Sequence, residues 1–294
     1  MKVYAIIKMM NIGNGQAKIV YNKVYIEITN ICNMRCSFCH GHNRDARQMS
    51  KEEFLLILDK LSDKTKYIYY HLMGEPLTHP LLPEFIHLAK ERDYKSIITT
   101  NGTLLNKRKD ELLSAGIHKI NISLHSFEGL ADEKHTRYIC ELAEFAKSAA
   151  EHGIITVFRL WNNGFDGGKN EIAFNLLKEN ISGEWAENTR GIRIRNKIHL
   201  EWGERFEWPD SKAEIKGEKF YCYGLQDQFG ILSDGTVVPC CLDSDGLINL
   251  GNIFSDDIEA ILDSDRALNL INGFRCGIAS EDLCKRCGYA QKFV

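Results

Sequence analysis

Cysteine is the residue type in this chain whose number and spacing point most directly to chemistry. Ten cysteines occur in 294 residues, and nine of them fall into two groups. The groups are Cys32, Cys36 and Cys39, and then Cys222, Cys240, Cys241, Cys276, Cys284 and Cys287. The chain is too long for a small disulfide scaffold and shows no recognisable export signal. Clustered cysteines in a reducing compartment therefore predict two metal sites.

The first group has a spacing that suits a metal centre. Three thiolates within eight residues can hold three corners of an iron–sulfur cube, and one iron of that cube then stays open for a small molecule. The same thiolates could hold a zinc ion, with His40 or His42 as the fourth ligand. The spacing alone leaves both interpretations open.

Composition and charge exclude several classes of protein. An apolar fraction of 44% and a charged fraction of 26% are ordinary for a globular chain. The net charge of −3 gives no basic excess for nucleic acid. No run approaches the ~18 apolar residues of a membrane span. We therefore expect a cytoplasmic protein that binds neither nucleic acid nor membranes.

Short β-branched runs alternate with amphipathic stretches over the first two thirds of the chain. A capping box at Ser50 and Glu53 begins the first predicted helix, Pro80 lies in the first turn of the second, and Gly116 ends the third. The alternation predicts an α/β fold with a partial (β/α)6 TIM-like barrel. The predicted strands are Lys23–Thr29, Lys66–Leu72, Lys95–Asn101, His118–Leu124, Ile154–Leu160 and, more weakly, Lys197–Glu201.

Polar motifs follow the ends of these strands. The carboxyl ends of parallel barrel strands share one rim, where active sites form. We therefore expect the five motifs to meet in one site. They are the first cysteine group after the first strand, Met73–Pro76 after the second, Thr99–Gly102 after the third, Ser123–Ser126 after the fourth and Arg159–Asn162 after the fifth.

The first cysteine motif, Cys-x3-Cys-x2-Cys with Phe38 before its last cysteine, resembles the radical S-adenosylmethionine (SAM) superfamily. Gly74-Glu75-Pro76 is similar to that family's Gly-Gly-Glu motif, with Met73 in place of the first glycine. The resemblance implies that the three cysteines hold a 4Fe–4S cluster with SAM on the open iron. It also implies that backbone carbonyls around Gly74 and Glu75 accept from the SAM amino group and that Phe38 lies near the adenine. We place this core domain at residues 1–210.

Three further side chains are implied as SAM contacts by the same resemblance. Asn101 and Ser123 could bond the ribose hydroxyls or the methionyl end, and Arg137 could pair with the SAM carboxylate. Each also has a purely structural interpretation. In that interpretation Asn101 begins a turn, Ser123 is a rim hydroxyl, and Arg137 lies on a solvated helix face.

The second cysteine group resembles the SPASM/Twitch extension of radical SAM enzymes. It belongs to a small cysteine-rich domain, placed at residues 211–294, with a predicted β-hairpin at Phe229–Leu232 and Thr236–Val238 followed by a helix. The resemblance implies one auxiliary 4Fe–4S cluster, the Twitch form. Cys241 or Cys276 could replace a member of the ligand set, and a zinc ribbon is the structural alternative. The implied ligands are Cys222, Cys240, Cys284 and Cys287.

The resemblance implies a radical SAM oxidoreductase. Such an enzyme takes an electron from an external reductase of flavodoxin or ferredoxin type and cleaves SAM to a 5′-deoxyadenosyl radical, which abstracts hydrogen from the substrate. Four cysteines would fully ligate the auxiliary cluster, which favours its accepting an electron from the substrate radical. The favoured reaction is dehydrogenation of a small-molecule alcohol or aminocyclitol. Arg159 is the candidate catalytic residue for substrate binding or proton management, unless it only forms salt bridges at the surface. His125 is a second candidate on the rim.

Two other functions stay open at this point. One is a radical SAM maturase that epimerises or cross-links a ribosomal peptide. Only 31 residues precede Cys32, fewer than a peptide-binding domain needs, and we therefore expect a small molecule before a peptide. The more distant alternative is a non-catalytic iron–sulfur or zinc-binding protein.

Overall fold

A computed structural model describes residues 9–10, 18–127 and 131–293 of the chain. Its strands, in chain order, are β1 (Met9–Met10), β2 (Lys18–Ile19), β3 (Lys23–Ile26), β4 (Tyr67–Tyr69), β5 (Lys95–Thr100), β6 (Lys119–Ser123), β7 (Ile155–Asn163), β8 (Ala186–Asn188), β9 (Gly191–Arg195), β10 (Ile198–Glu204), β11 (Gln228–Ile231) and β12 (Val237–Val238).

Eight α-helices lie in the described ranges, together with short 3-10 helices at Pro76–Thr78, Leu124–Phe127 and Tyr289–Phe293. The α-helices are α1 (Lys51–Lys60), α2 (Leu82–Glu91), α3 (Lys109–Ala115), α4 (Asp132–Glu151), α5 (Lys169–Asn180), α6 (Ile258–Leu262), α7 (Asp265–Arg275) and α8 (Asp282–Lys285). Across the same ranges, no helix combines the length and apolar character that crossing a bilayer requires.

The strands β3 to β12 form one sheet in the order β12-β11-β3-β4-β5-β6-β7-β10-β9-β8. Every pair from β11 to β10 is parallel, and the pairs at both edges are antiparallel. The sheet does not close on itself. The predicted α/β partial barrel is confirmed, and all six predicted strands occur, the sixth as β10.

A seventh parallel strand comes from the predicted hairpin. The hairpin exists as β11 and β12, but β11 also pairs in parallel with β3, with Gln228 opposite Lys23 and Ile231 opposite Ile26. The cysteine-rich part of the chain is thereby joined to the core sheet by main-chain hydrogen bonds. The sequence did not predict this pairing, because a four-residue strand carries no information about a partner some two hundred residues away.

The helices begin and end largely where the sequence places their caps. The Ser50 hydroxyl accepts from the Glu53 amide at 3.2 Å, and the Glu53 carboxylate accepts from the Ser50 amide at 2.8 Å. Gly116 ends α3 at a φ of 85°, a conformation that favours glycine. The placement of Pro80 in the first turn of the second helix was wrong. Helix α2 begins at Leu82, so Pro83 lies in its first turn.

Candidate functional site

The first cysteine group lies in the loop between β3 and α1. Cys32 and Cys39 are exposed, and Cys36 is half-buried with its sulfur 3.8 Å from the Ser126 carbonyl oxygen. The Cys39 amide donates to the Cys36 carbonyl at 3.2 Å, which folds the loop back on itself. The Met34 amide donates to the Cys32 sulfur at 3.4 Å and so opposes the rise in the pKa of Cys32 that burial causes. Open thiols on one short loop fit a cluster that keeps one corner free.

Gly74 brings the end of β4 against the base of this loop. Its φ is +75°, and a Cβ atom there would lie 2.4 Å from the Thr29 carbonyl oxygen and 2.9 Å from the Asn30 Cα. The neighbouring Glu75 amide donates to the Ile31 carbonyl at 2.9 Å. Glycine is therefore required for this close approach. The bare backbone beside the cysteine loop fits the predicted recognition of a SAM amino group, which stays a prediction.

The Glu75 side chain connects two strand ends. Its buried carboxylate accepts from the Thr100 hydroxyl at 2.7 Å, the Asn101 amide at 2.7 Å and the Leu77 amide at 3.0 Å. Burial raises the pKa of Glu75 from 4.5 to about 7, although these donors oppose the shift. Glu75 thus holds the end of β5 beside the loop that follows β4.

The raised pKa of Glu75 predicts a pH dependence of stability. The folded value of about 7 exceeds the unfolded value of 4.5, so the stabilisation by the protonated form is complete below pH 4.5 and is lost as pH rises through about 7. Across this window, wild-type protein should lose up to about 3 kcal/mol of unfolding free energy relative to Glu75→Gln. Urea unfolding at several pH values measures this loss. Glu187→Gln, at an exposed position, is the control, and a pH-independent difference between wild type and Glu75→Gln would contradict the expectation.

Asn101 lies directly beside the cysteine loop. Its Nδ2 donates to Asn33 Oδ1 at 2.9 Å, and its Oδ1 accepts from the Thr103 amide at 3.0 Å. Asn33 in turn donates to the Thr103 hydroxyl at 2.8 Å. The structure therefore uses the Asn101 side chain to join the end of β5 to the loop. A contact with the SAM ribose stays a prediction.

Phe38, His125 and Ser123 occupy one region of the predicted rim. The Phe38 ring lies 4.7 Å from the His125 ring. His125 is held by a 3.2 Å contact between Nδ1 and the Arg159 carbonyl, and burial lowers its pKa to about 4. Ser123 is opposite Arg159 in the register of β6 and β7. The position of Phe38 is compatible with a flat ligand beside it.

Arg137 is the predicted SAM-binding residue that the structure does not bring to the others. Its side chain is 82% exposed and pairs with Glu141 one turn along α4 at 2.8 Å. This is the geometry of an ordinary surface ion pair. Binding the SAM carboxylate would require Arg137 to leave Glu141, and that role stays a prediction.

The second cysteine group surrounds a cavity of about 700 Å³. Cys276 is exposed at the end of α7 and does not line the cavity. Burial raises the pKa of the Cys222 thiol to about 11, so these thiols hold their protons until a metal displaces them. The chemistry and placement of the thiols fit an auxiliary cluster. The lining cysteines are Cys222, Cys240, Cys241, Cys284 and Cys287.

Cys241 lines the cavity beside the four predicted ligands, so it stays an alternative ligand for the auxiliary cluster. It hydrogen-bonds Tyr25, and it also interacts electrostatically with Cys222 and Cys240. Within the described ranges, no three histidine, cysteine or acidic side chains lie close enough together for a single metal ion. The thiols instead border a space, and a four-iron cube is larger than one ion.

Glu27 is a site residue that the sequence analysis missed. It is fully buried and forms a 2.7 Å ion pair with Arg44 of the first cysteine loop. It also accepts from the Met73 amide at 3.1 Å and from the Ser233 hydroxyl at 3.0 Å. One carboxylate thus joins the cysteine loop, the end of β4 and the hairpin of the second cysteine group. An acidic residue between Ile26 and Ile28 in a strand was the available signal.

The two cysteine loops also contact each other directly. Asn43 donates through its amide to Asp245 Oδ1 at 2.7 Å and through its side chain to Asp245 Oδ2 at 2.9 Å. Arg44 donates through Nε to the Ser244 carbonyl at 2.8 Å. The structure therefore fixes the position of each candidate cluster site relative to the other.

The chain has a parallel sheet with a three-cysteine motif at its rim and a second cysteine group beside it. This arrangement is typical of iron–sulfur proteins that bind SAM. The family model described as the Radical SAM superfamily matches residues 26–162, and the SPASM iron–sulfur cluster-binding domain matches residues 222–288. The chain belongs to the radical SAM superfamily and carries a SPASM domain. The two domains imply SAM, a SAM-binding 4Fe–4S cluster and an auxiliary 4Fe–4S cluster. The boundary between residues 210 and 211 stays a prediction.

Individual relatives resemble different parts of the chain. A probable GTP 3′,8-cyclase of Saccharolobus islandicus is 32% identical over 137 residues, which are 45% of this chain and 44% of the relative, so the chain spans less than half of its length. The structure of BtrN in complex with AdoMet and 2-DOIA matches with a TM-score of 0.61 at 19% identity, over 91% of this chain and 93% of BtrN. Streptococcus suis SuiB matches with a TM-score of 0.58 at 16% identity, over 92% and 71%. These structural likenesses establish a shared fold.

Proposed function

We propose that this chain is a radical SAM oxidoreductase that dehydrogenates a small-molecule alcohol in the 700 Å³ cavity. The observation that carries the proposal is the lining of that cavity. Side chains from the sheet, including Tyr25, Arg159 and Glu201, line it together with five thiols of the second cysteine group. A molecule in this space lies between polar anchors and the auxiliary centre.

The bound cofactors would supply the radical chemistry. SAM on its cluster supplies a 5′-deoxyadenosyl radical, generated with an electron from a reductase of flavodoxin or ferredoxin type, and the auxiliary cluster supplies an electron acceptor. Conversion of an alcohol to a ketone removes one hydrogen atom, one proton and one electron from the substrate. Cys32, Cys36 and Cys39 would hold the first cluster, and four of the cavity thiols the second.

The chain's own residues would bind the alcohol and accept its proton. Arg159 and Glu201 are opposite each other in the register of β7 and β10 and both line the cavity. Arg159 supplies hydrogen-bond donors for substrate oxygens. The Glu201 carboxylate accepts the hydroxyl proton as the carbonyl forms.

The size of the cavity supports a small substrate rather than a peptide. Pockets for small molecules range from about 300 to 1,000 Å³, and this cavity of about 700 Å³ lies within that range. Tryptophan and tyrosine side chains, among them Trp161 and Tyr69, line much of it. BtrN, whose structure contains 2-DOIA, has a chain of similar extent. A small alcohol is therefore favoured over a ribosomal peptide.

Iron content tests the two proposed cluster sites. Anaerobically reconstituted protein should contain about eight irons, and Cys284→Ala should reduce this to about four. Cys276→Ala is the matched control, because Cys276 is exposed and does not line the cavity. Iron and sulfide analysis with electron paramagnetic resonance measures the outcome. Stoichiometric zinc, or loss of iron in the Cys276 variant alone, would contradict the assignment.

Turnover tests the reaction itself. Reduced protein should convert SAM to 5′-deoxyadenosine and oxidise a small alcohol in equal amounts, with a mass loss of two hydrogens in the product. Small-molecule and peptide extracts, each incubated with and without SAM, provide the candidate substrates. A SAM-dependent mass change confined to the peptide fraction would identify a peptide maturase instead. Absence of 5′-deoxyadenosine would overturn the proposal.

A further inference from the structure

The guanidinium of Arg159 lies in the cavity without a full set of partners. Its side chain is 16% exposed, and its Nε is buried with no hydrogen-bond partner within the described part of the chain. Glu201 Oε2 is 3.8 Å away, beyond hydrogen-bond distance. The group rests over the Trp161 ring at 4.7 Å. A buried arginine with free donors is costly for a folded protein unless a ligand supplies the acceptors.

Several basic side chains lie around Arg159. The pKa of Lys119 is lowered, first by burial and then by the positive charges of Arg159, Arg190 and Lys23. The negative charge of Glu201 opposes this shift. Lys23, Lys119 and Arg190 all line the same cavity. Among the described residues, Glu201 is the one carboxylate within ion-pair distance of Arg159. Glu204, Asp227 and Asp243 line the cavity as well, but none of the three forms an ion pair with Arg159 in the described part of the chain. Arg159 therefore has one carboxylate at 3.8 Å and a free Nε–H, which an anionic ligand can satisfy.

Groups suited to hydroxyls surround the same space. The Tyr25 hydroxyl contacts Gln228 Oε1 at 3.3 Å and lines the cavity. His71 also lines it, and its Nδ1 is buried with no hydrogen-bond partner in the described ranges. Burial lowers the pKa of His71 to about 3, which keeps the ring neutral and able to accept a hydrogen bond. The cavity thus combines the buried guanidinium of Arg159 with neutral polar groups.

We infer that the substrate is an acidic polyol, whose carboxylate or phosphate binds Arg159 while its hydroxyls face Tyr25, His71 and Glu201. This inference rests on the proposed function and narrows its substrate class. A planar guanidinium with free N–H groups matches the oxygens of either anion. An aminocyclitol would place an ammonium group beside the Arg159 guanidinium and is disfavoured there.

The auxiliary cluster offers a rival explanation for the cations. Four thiolates around a cube carry net negative charge, and Lys23 acts electrostatically on Cys241. The cations could then serve only to balance that charge. The rival explanation predicts that removing Arg159 changes the reduction potential of the auxiliary cluster and leaves anion binding unchanged. The rival explanation does not account for the buried Nε of Arg159, which would still lack a hydrogen-bond partner.

Binding of four sugars of similar size tests the inference. Anaerobic calorimetry with reconstituted full-length protein and SAM would use gluconate, glucose 6-phosphate, glucose and glucosamine. At least one anion should bind about tenfold more tightly than glucose and glucosamine, and the stronger anion shows whether a carboxylate or a phosphate is preferred. Arg159→Gln should weaken that anion by about 10- to 100-fold. Arg193→Gln, an exposed arginine paired with Glu184, should leave it unchanged.

A second variant separates binding from misfolding. Glu201→Gln removes the carboxylate that faces Arg159 and should strengthen anion binding. Equal binding or no binding of the four sugars, unchanged anion binding in Arg159→Gln, or weaker binding in Glu201→Gln would each overturn the inference. Formation of 5′-deoxyadenosine is measured in the same samples. If it persists while anions fail to bind, the substrate class is wrong and the radical SAM reaction stands.

Discussion

Replacing Cys36 with alanine should abolish the formation of 5′-deoxyadenosine from SAM. Cys36 is the half-buried middle member of the first group, with its sulfur 3.8 Å from the Ser126 carbonyl oxygen. Two remaining thiolates cannot keep a four-iron cube in place with a single open corner. The product should fall to the background of the reductant alone. Liquid chromatography with mass spectrometry measures it under anaerobic conditions.

Cys140→Ala is the matched control for this variant. Cys140 lies on α4, and its sulfur is 3.7 Å from the Asn180 side chain, away from both cysteine groups. This variant should retain wild-type product formation. The Cys36 variant should in addition keep about four irons, because the second group of thiols is intact. Product formation at the wild-type rate by the Cys36 variant would show that a different set of side chains binds the cluster.

The local features of this fold follow closely from its sequence. The β-branched runs predicted β3 to β7 and β10, since a strand buried on both faces needs continuous apolar residues. The Ser50 capping box predicted the start of α1, because the first turn of a helix needs acceptors for its free amides. The cysteine spacing also predicted the family, since three thiolates on one loop are typical of a metal or iron–sulfur site.

Features that depend on distant contacts were not predicted. The pairing of β11 with β3 and the role of Glu27 both depend on segments far apart in the chain. Neither periodicity nor propensity carries that information. The residues predicted to bind SAM at the rim do not all lie together in the structure. Phe38 lies within the first cysteine loop and Asn101 contacts it, whereas Arg137 is exposed on α4.

The cavity depends both on local features that the sequence predicts and on distant contacts that only the structure shows. Arg159 was identified from its place at a strand end, a local property. Its free Nε and its single acidic neighbour became visible only when β7, β10 and the second cysteine group were in position. Under the proposed function, a substrate in this cavity would lie beside the auxiliary cluster that accepts its electron. Recognition and oxidation of the substrate are therefore expected to depend on one cavity.

Replacing Glu27 with alanine should destabilise the chain by about 3–5 kcal/mol, the usual loss when one partner of a buried ion pair is removed. Glu27 is fully buried, and its loss leaves Arg44 and the Met73 amide without their acceptor. The unfolding midpoint should fall by about 10 °C. Differential scanning calorimetry of the cluster-free chain measures this shift.

Two further variants test whether Glu27 stabilises the chain by joining the two cysteine loops rather than by packing alone. Glu53→Ala removes a capping box and an ion pair with Arg47 from a more exposed glutamate, and should cost only about 1 kcal/mol. Arg44→Ala leaves Glu27 buried and unpaired, so the Glu27/Arg44 double variant should cost less than the two single variants together. Additive losses, or a Glu27→Ala loss no larger than that of Glu53→Ala, would mean that the two cysteine loops are held together by other contacts. Non-additive losses would identify this buried ion pair as the connection that fixes one candidate cluster site relative to the other.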